Sequence, residues 1–157
     1  RLIIESPAGK RETLLADFLN SPYKTELKQG EIVTGVVIPI PDRELEGDFY
    51  KLGRRRAVAI SRITLAHLIN IKENRIKELR IASGAVTPIG TRFNGLEQEF
   101  EGKEISESLL KKISARLAEN VIEVTGLRWS SEYKLPVVSG MLYQMLHKSV
   151  YGGSDGK

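Results

Sequence analysis

Lys51, Arg54, Arg55 and Arg56 place four cations within six residues, directly after the aromatic pair Phe49-Tyr50 and just ahead of an apolar run. Fixed charge at that density needs open water or an anionic partner, because the charges repel one another and none is desolvated cheaply alone. The chemistry on offer is recognition of phosphate or carboxylate: the arginine forks suit paired oxygens, and a lysine supplies a point of charge. A solvated basic turn would satisfy the same residues with no ligand at all. Other titratable side chains offer less. His67 falls on the apolar face of a strand pattern, as expected of a hydrogen-bonded structural histidine, and His147 sits near the end of the last helical pattern, where positive charge complements the dipole. The carboxylates are spread along helix faces and no nucleophile, base or ligand spacing stands out, so no catalytic side chain and no metal site are read.

The elements that must position this cluster follow from periodicity. Leu2 to Ser6 reads as a strand, Pro7 to Lys10 as a turn, Leu14 to Leu19 as a short helical or irregular segment, and Glu31 to Ile40 as β-rich until Pro39 and Pro41 end the pairing. The polar stretch from Asp42 to Asp48 reads as a connection between two structural units. Beyond it, Ile63, Leu65, His67, Ile69 and Ile71 alternate with more polar neighbours at the period of a half-buried strand. Glu73-Asn74-Arg75 gives a tight connection with Asn74 in a left-handed conformation, and Ile76 to Val86 returns antiparallel. Phe49 to Leu52 adds a further strand. A sheet of three or four strands needs a cover, and the last third supplies it. Leu109, Ile113, Leu117 and Val121 recur every four residues behind Ser106 as N-cap and before Gly126 as stop. Arg92 to Glu101 reads as a short helix, and Val138, Met141, Leu142, Met145 and Leu146 mark a last one that begins, or kinks, near Leu135 because of Pro136.

Composition sets outer limits. A chain of 157 residues suits one domain, or one domain with an attached segment, and the net charge of +4 is too small to imply nucleic acid by itself. The absence of cysteine removes disulfides, thiolate zinc sites and any iron–sulfur cluster held by this chain, and agrees with a cytoplasmic location. No apolar run approaches the ~20 residues of a membrane span. The first residue is Arg1 and the chain opens directly into Leu2-Ile3-Ile4, a strand already under way, so a fragment of something longer is expected.

The order of short motifs carries more than any one of them. Thr25-Glu26-Leu27, Gly30-Glu31-Ile32-Val33, Val37-Ile38-Pro39, Tyr50 to Arg56, Gly84-Ala85-Val86-Thr87-Pro88, Thr91-Arg92 and Arg128-Trp129-Ser130-Ser131-Glu132-Tyr133-Lys134 follow one another in that order. Together they resemble the C-terminal half of the FAD-binding (medium) subunits of the molybdenum hydroxylases, the family of xanthine dehydrogenase and carbon monoxide dehydrogenase. The resemblance implies an α+β fold, an antiparallel sheet of three or four strands covered by about three helices, over residues 46–157. Residues 1–45 would be the end of a FAD-binding domain and the connection from it. It implies a subunit in which electrons pass from iron–sulfur clusters to FAD and on to NAD or another acceptor, with most of the flavin held by an upstream half. The molybdenum cofactor and [2Fe-2S] clusters would sit on a large molybdopterin subunit and a small iron–sulfur subunit, and this piece alone would be inactive.

By the same resemblance Lys51, Thr34, Tyr50, Arg55 and Arg56 are the cofactor-binding residues, Lys51 by its place after an aromatic residue and Thr34 by its place before Ile38-Pro39. The stretch Leu52 to Arg62 matches a loop that runs beside the flavin. Where the family commonly has acidic residues after its arginine pair, this chain has Ala57, Val58 and Ala59, which leaves the loop more basic. The Arg128 to Lys134 motif is read as structural, with Ser130 or Ser131 capping the last helix and Tyr133 anchoring it on the sheet. Arg92 is read as fixing a loop or meeting another subunit. The reading from a different class is a basic α+β module that binds single-stranded nucleic acid by phosphate contacts and stacking on Phe49 and Tyr50.

Overall fold

Two units divide the computed structural model, Arg1–Arg43 and Glu44–Lys157, and the described residues are 1–41, 44–55 and 58–152. In the smaller unit β1 (Leu2–Ser6) turns through Pro7-Ala8 into β2 (Gly9–Thr13) and pairs on its other side with β5 (Ile32–Val36), giving an antiparallel sheet of order β2-β1-β5. The turn is shorter than its sequence suggested, since Gly9 already pairs with Ser6. Between β2 and β5 lie a one-turn helix α1 (Leu15–Phe18) and a small hairpin of β3 (Leu19–Ser21) and β4 (Lys24–Thr25). The core here is Leu2, Ile4 and Phe18, with Leu19 packed against it. Charge does much of the remaining tying: Arg11 donates from Nε and Nη2 to the two carboxylate oxygens of Glu31 at 2.7 and 2.8 Å, and Glu31 also accepts from the Lys28 backbone.

The larger unit is a four-stranded antiparallel sheet of order β6 (Glu46–Gly53), β7 (Ser61–Lys72), β8 (Arg75–Gly84) and β9 (Thr91–Arg92). The alternation in β7 is realised as read: Ile63, Leu65, His67 and Ile69 are buried on one face. The two residues between β7 and β8, Glu73 and Asn74, have φ of 54° and 57°, so both take the left-handed conformation that a tight hairpin of right-handed twist requires. Three helices cover the buried face: α2 (Asn94–Phe100), α3 (Glu107–Thr125) and α4 (Ser131–Tyr151). Ser106 Oγ accepts from Leu109 N at 3.1 Å, the cap expected, and α3 stops at Gly126 with φ 66°. The core joins Ile63, Leu65, Ile76, Leu79 and Ile81 from the sheet to Leu110, Ile113, Leu117, Leu142 and Leu146 from the helices.

Polar side chains fasten this layer. Glu97, buried at the start of α2, accepts Ile81 N at 2.8 Å and receives the Arg92 fork at 2.7 to 3.0 Å, so Arg92 does fix the loop between β9 and α2. His67 Nε2 lies 2.9 Å from Ser149 Oγ, which joins β7 to the end of α4, and His67 Nδ1 has no partner among the described residues. Burial pushes this imidazole below its ordinary pKa of 6.5, outweighing the attraction of Asp48 opposite it.

The last helix settles one expectation and corrects two. It begins at Ser131, so of the two alternatives the start near Leu135 is excluded and Pro136 lies inside the helix. The earlier start is built by Ser131 N donating to Arg128 O and Lys134 N to Ser130 O, both at 2.8 Å, so the first turn is closed before the proline removes a donor. Ser130 makes no side-chain cap, and Ser131 Oγ instead accepts from Arg128 N outside the helix. Tyr133 is half exposed; the sheet-side anchor is its neighbour Lys134, whose ammonium donates to Ala85 O at 3.1 Å.

Candidate functional site

Among the described strands β6 is an edge, paired with β7, and its alternation sorts the residues of interest. Tyr50 and Leu52 face the helix side, where they line a groove with Val137 and Met141 of α4. Phe49 and Lys51 therefore point to the opposite face, with Lys51 set across from Thr64. Two neighbours in a strand cannot offer their rings to one surface, so Phe49 and Tyr50 do not form a joint stacking platform. The nucleic-acid reading loses its main support.

At the end of β6 the chain leaves the sheet and the cations gather. A pocket of about 530 Å³ is lined by Tyr50, Lys51, Gly53, Arg54, Arg55 and Ala59. It shares Arg54, Arg55 and Ala59 with a larger cleft of about 920 Å³, whose far wall is Trp129, Ser130 and Lys134 at the start of α4. Arg62, the second residue of β7, completes the larger lining. Among the described residues neither cavity is lined by a carboxylate. The loop is held by its own arginine: Arg55 donates from Nε and Nη2 to Val58 O at 3.1 and 2.9 Å.

Lys134 feels this concentration of charge. Its ammonium is pushed below the usual lysine range, first by burial and then by Arg62 and Arg128. The carbonyl it meets belongs to Ala85, which has φ 60°, a conformation costing an L-residue roughly 1–2 kcal/mol. The Lys134 bond helps to hold that bend at the exit of β8.

Of the residues proposed from sequence, the structure brings Tyr50, Lys51 and Arg55 to one pocket. Arg56 lies outside the described residues. Thr34 belongs to the smaller unit: Ile3 pairs with Gly35 and Ile4 with Val33, so Thr34 is the extra residue of a β-bulge in β5 and is exposed. Sequence reasoning missed Trp129 and Lys134 as members of the cleft, since their motif was read as structural only. The available signal was the recurrence of cations, Arg128 and Lys134 around an indole, in a motif that also ends a loop.

No group of three or more His, Cys, Asp or Glu able to hold a metal occurs among the described residues. Among the described residues no helix is long and apolar enough to cross a membrane.

The family model of the CO dehydrogenase flavoprotein C-terminal domain matches residues 48–149. The chain belongs to this family. Its relatives bear out the resemblance read from the motif order. It is 29% identical over 137 residues to the glyceraldehyde dehydrogenase medium chain of Sulfolobus acidocaldarius, covering 87% of this chain and 48% of that one. It is 27% identical over 151 residues to the xanthine dehydrogenase FAD-binding subunit of Escherichia coli O157:H7, covering 96% and 52%. The crystal structure of quinoline 2-oxidoreductase from Pseudomonas putida 86 superposes with a TM-score of 0.81 at 26% identity, over 96% of this chain and 52% of that one. The chain thus spans about half the length of the relatives it matches. The fold expected from sequence, a helix-covered antiparallel α+β layer, is the fold of this flavoprotein family.

Proposed function

We propose that this chain is the C-terminal part of the FAD subunit of a molybdopterin-dependent oxidoreductase, and that the larger unit forms one wall of the flavin cleft. The observation that carries the reading is the pocket at the end of edge strand β6, bordered by Tyr50 and Lys51 from the two faces of the strand and by Arg55 from the loop, with no carboxylate among the described lining residues. Such a lining fits an anionic cofactor: Lys51 would offer charge to it, and Tyr50 and the loop would confine it. FAD, when bound, supplies two-electron chemistry between a donor and an acceptor, and the protein's share is to position it and set its electrostatic surroundings. Arg55 takes part as the brace of the loop, because its fork is already bonded to Val58 O. Thr34, in β5, and Arg56 remain part of the proposed contact set.

In this reading residues 1–45, which take in the smaller unit, are the end of the FAD-binding domain and the connection from it, and most of the flavin is held by another part of the subunit. Electrons reach FAD from [2Fe-2S] clusters on a small subunit, which receives them from a molybdenum cofactor on a large subunit, and they leave to NAD or another acceptor. The assembly would work in the cytoplasm, and this piece alone would be inactive.

The test is the full-length subunit. Purified intact protein is expected to show flavin absorbance, and Lys51→Ala to lower flavin content and to weaken FAD binding about tenfold, in line with the loss of one charge-assisted contact. A colourless intact subunit that takes up no added FAD would reject the reading, whereas unchanged retention in Lys51→Ala would remove Lys51 from the site.

A further inference from the structure

The mouth of the larger cleft combines two features that a cofactor wall does not need. Val58 and Ile60 on the loop and Trp129 before α4 are 93%, 93% and 92% exposed. Large apolar side chains that far into water are costly to keep unless something covers them at times. Around them stand Arg54, Arg55, Arg62 and Lys134, with no acidic residue in the described lining. A small apolar centre rimmed by one sign of charge, with an indole and arginines, is the composition of a protein-docking surface.

The hydrogen bonds say what kind of partner. A phosphate cradle needs free donor forks aimed at one point, but the Arg55 fork is closed on Val58 O and the Lys134 ammonium is engaged by Ala85 O. Their charge stays in place while their donors are committed to the chain's own backbone. Half of the rim's cations, Arg55 and Lys134, therefore act through field, while Arg54 and Arg62 keep open forks among the described residues, and a field acts on an extended anionic surface by steering and orienting it.

We propose that this rim docks a small acidic electron-carrier protein, the oxidant that removes electrons from the reduced flavin. The inference rests on the flavin reading above and names the class of acceptor for it. Two carriers, each reduced by one electron in turn, reoxidise one two-electron-reduced flavin, whose two protons pass to water. The encounter would be transient and of the small interface class, which suits a partner that must leave after each electron.

The experiment uses the intact flavin-containing complex immobilised for interferometry, with an oxidised acidic [2Fe-2S] ferredoxin and an acidic flavodoxin as probes. At least one probe is expected to bind, with affinity falling about tenfold or more between about 0.05 and about 0.3 M NaCl. Arg54→Glu and Trp129→Ala are each expected to weaken that binding about tenfold, with flavin absorbance unchanged in Trp129→Ala. Hydrogen exchange at residues 58–62 and 127–131 is expected to slow when the probe is added. The proposal is overturned if neither carrier binds, or if binding ignores salt and both substitutions. It is also overturned if calorimetry shows NAD binding lost in Trp129→Ala while no carrier binds, or if the same residues are already protected in the complex without a carrier, which makes the rim a subunit interface. A complex without flavin absorbance would instead reject the parent reading, and the binding curves would still report on the rim.

Discussion

The two units differ in what holds them. Among the described residues, twenty buried apolar side chains of Glu44–Lys157 form one continuous core between sheet and helices, while in Arg1–Arg43 the core is Leu2, Ile4 and Phe18. Hydrophobic burial scales with size, and a three-residue core cannot offset the ordering of some forty residues. The smaller unit compensates with polar ties, of which Arg11–Glu31 is the most complete. The larger unit carries the extended core and the smaller one leans on polar ties. The charged segment belongs to the unit with the dense core: Arg54 and Arg55 follow β6 and Arg62 lies near the start of β7.

The largest effect should come from matched cavities. Leu110→Ala in α3 and Ile4→Ala in β1 remove buried aliphatic groups of similar size, each worth about 2–5 kcal/mol. In the larger unit that loss should lower a single cooperative transition by about 10 °C or more and leave the fold intact. In the smaller unit it should melt residues 1–41 locally, seen as fast hydrogen exchange and early proteolysis there while 44–152 stay protected. Equal, global destabilisation by both substitutions would show that the two units share one cooperative core.

Acid should separate the units further, with a smaller effect. His67 is buried in the neutral form with its pKa lowered, so its contribution is complete above the ordinary 6.5 and is lost as pH falls through the depressed folded value. Glu31 is lowered from 4.5 to about 2, chiefly by the Arg11 hydrogen bond and then by the Lys28 backbone, so its contribution is complete above 4.5 and is lost as pH falls through about 2. The larger unit should therefore loosen first on acidification, at the end of α4 where His67 meets Ser149, and the smaller unit only at lower pH. Amide NMR signals followed from pH 7 downward would show the order. His67→Gln keeps a hydrogen-bonding side chain without the titration and should remove the first phase; an unchanged first phase would assign it to other groups.

How much of this was legible depended on whether packing was written into a short window. The buried face of β7 and the stripe of α3 were readable because Ile63 to Ile69 and Leu109 to Val121 repeat at the period of their element. Strand β2, Gly-Lys-Arg-Glu-Thr, was not: its residues are polar and it exists by pairing with β1 through the turn. The start of α4 was left open because Pro136 speaks locally for either a boundary or a kink, while the backbone bonds of Ser131 and Lys134 close the first turn ahead of it. The site divides the same way. Lys51 and the arginines announced themselves by density, but Trp129 and Lys134 joined them only when the fold set the beginning of α4 against the loop after β6. A bulge at Thr34 has no signature in an apolar run and was invisible.

The smallest prediction tests how far local strain is carried by the larger core. Glu73 adopts φ 54° in the hairpin between β7 and β8, where Asn or Gly would meet the same geometry with less strain. Asn74, at φ 57°, is already a suitable residue, and its side chain donates to Glu104. Glu73→Asn is thus expected to raise stability by about 0.5–1 kcal/mol, read as a small increase in the denaturant midpoint at constant slope. The turn is exposed, so no packing is lost. A decrease would mean that the Glu73 carboxylate contributes more than its backbone costs. An increase would show that β7 and β8 are registered by Ile69, Leu79 and the helices behind them, strongly enough to hold an unfavourable residue at the tip.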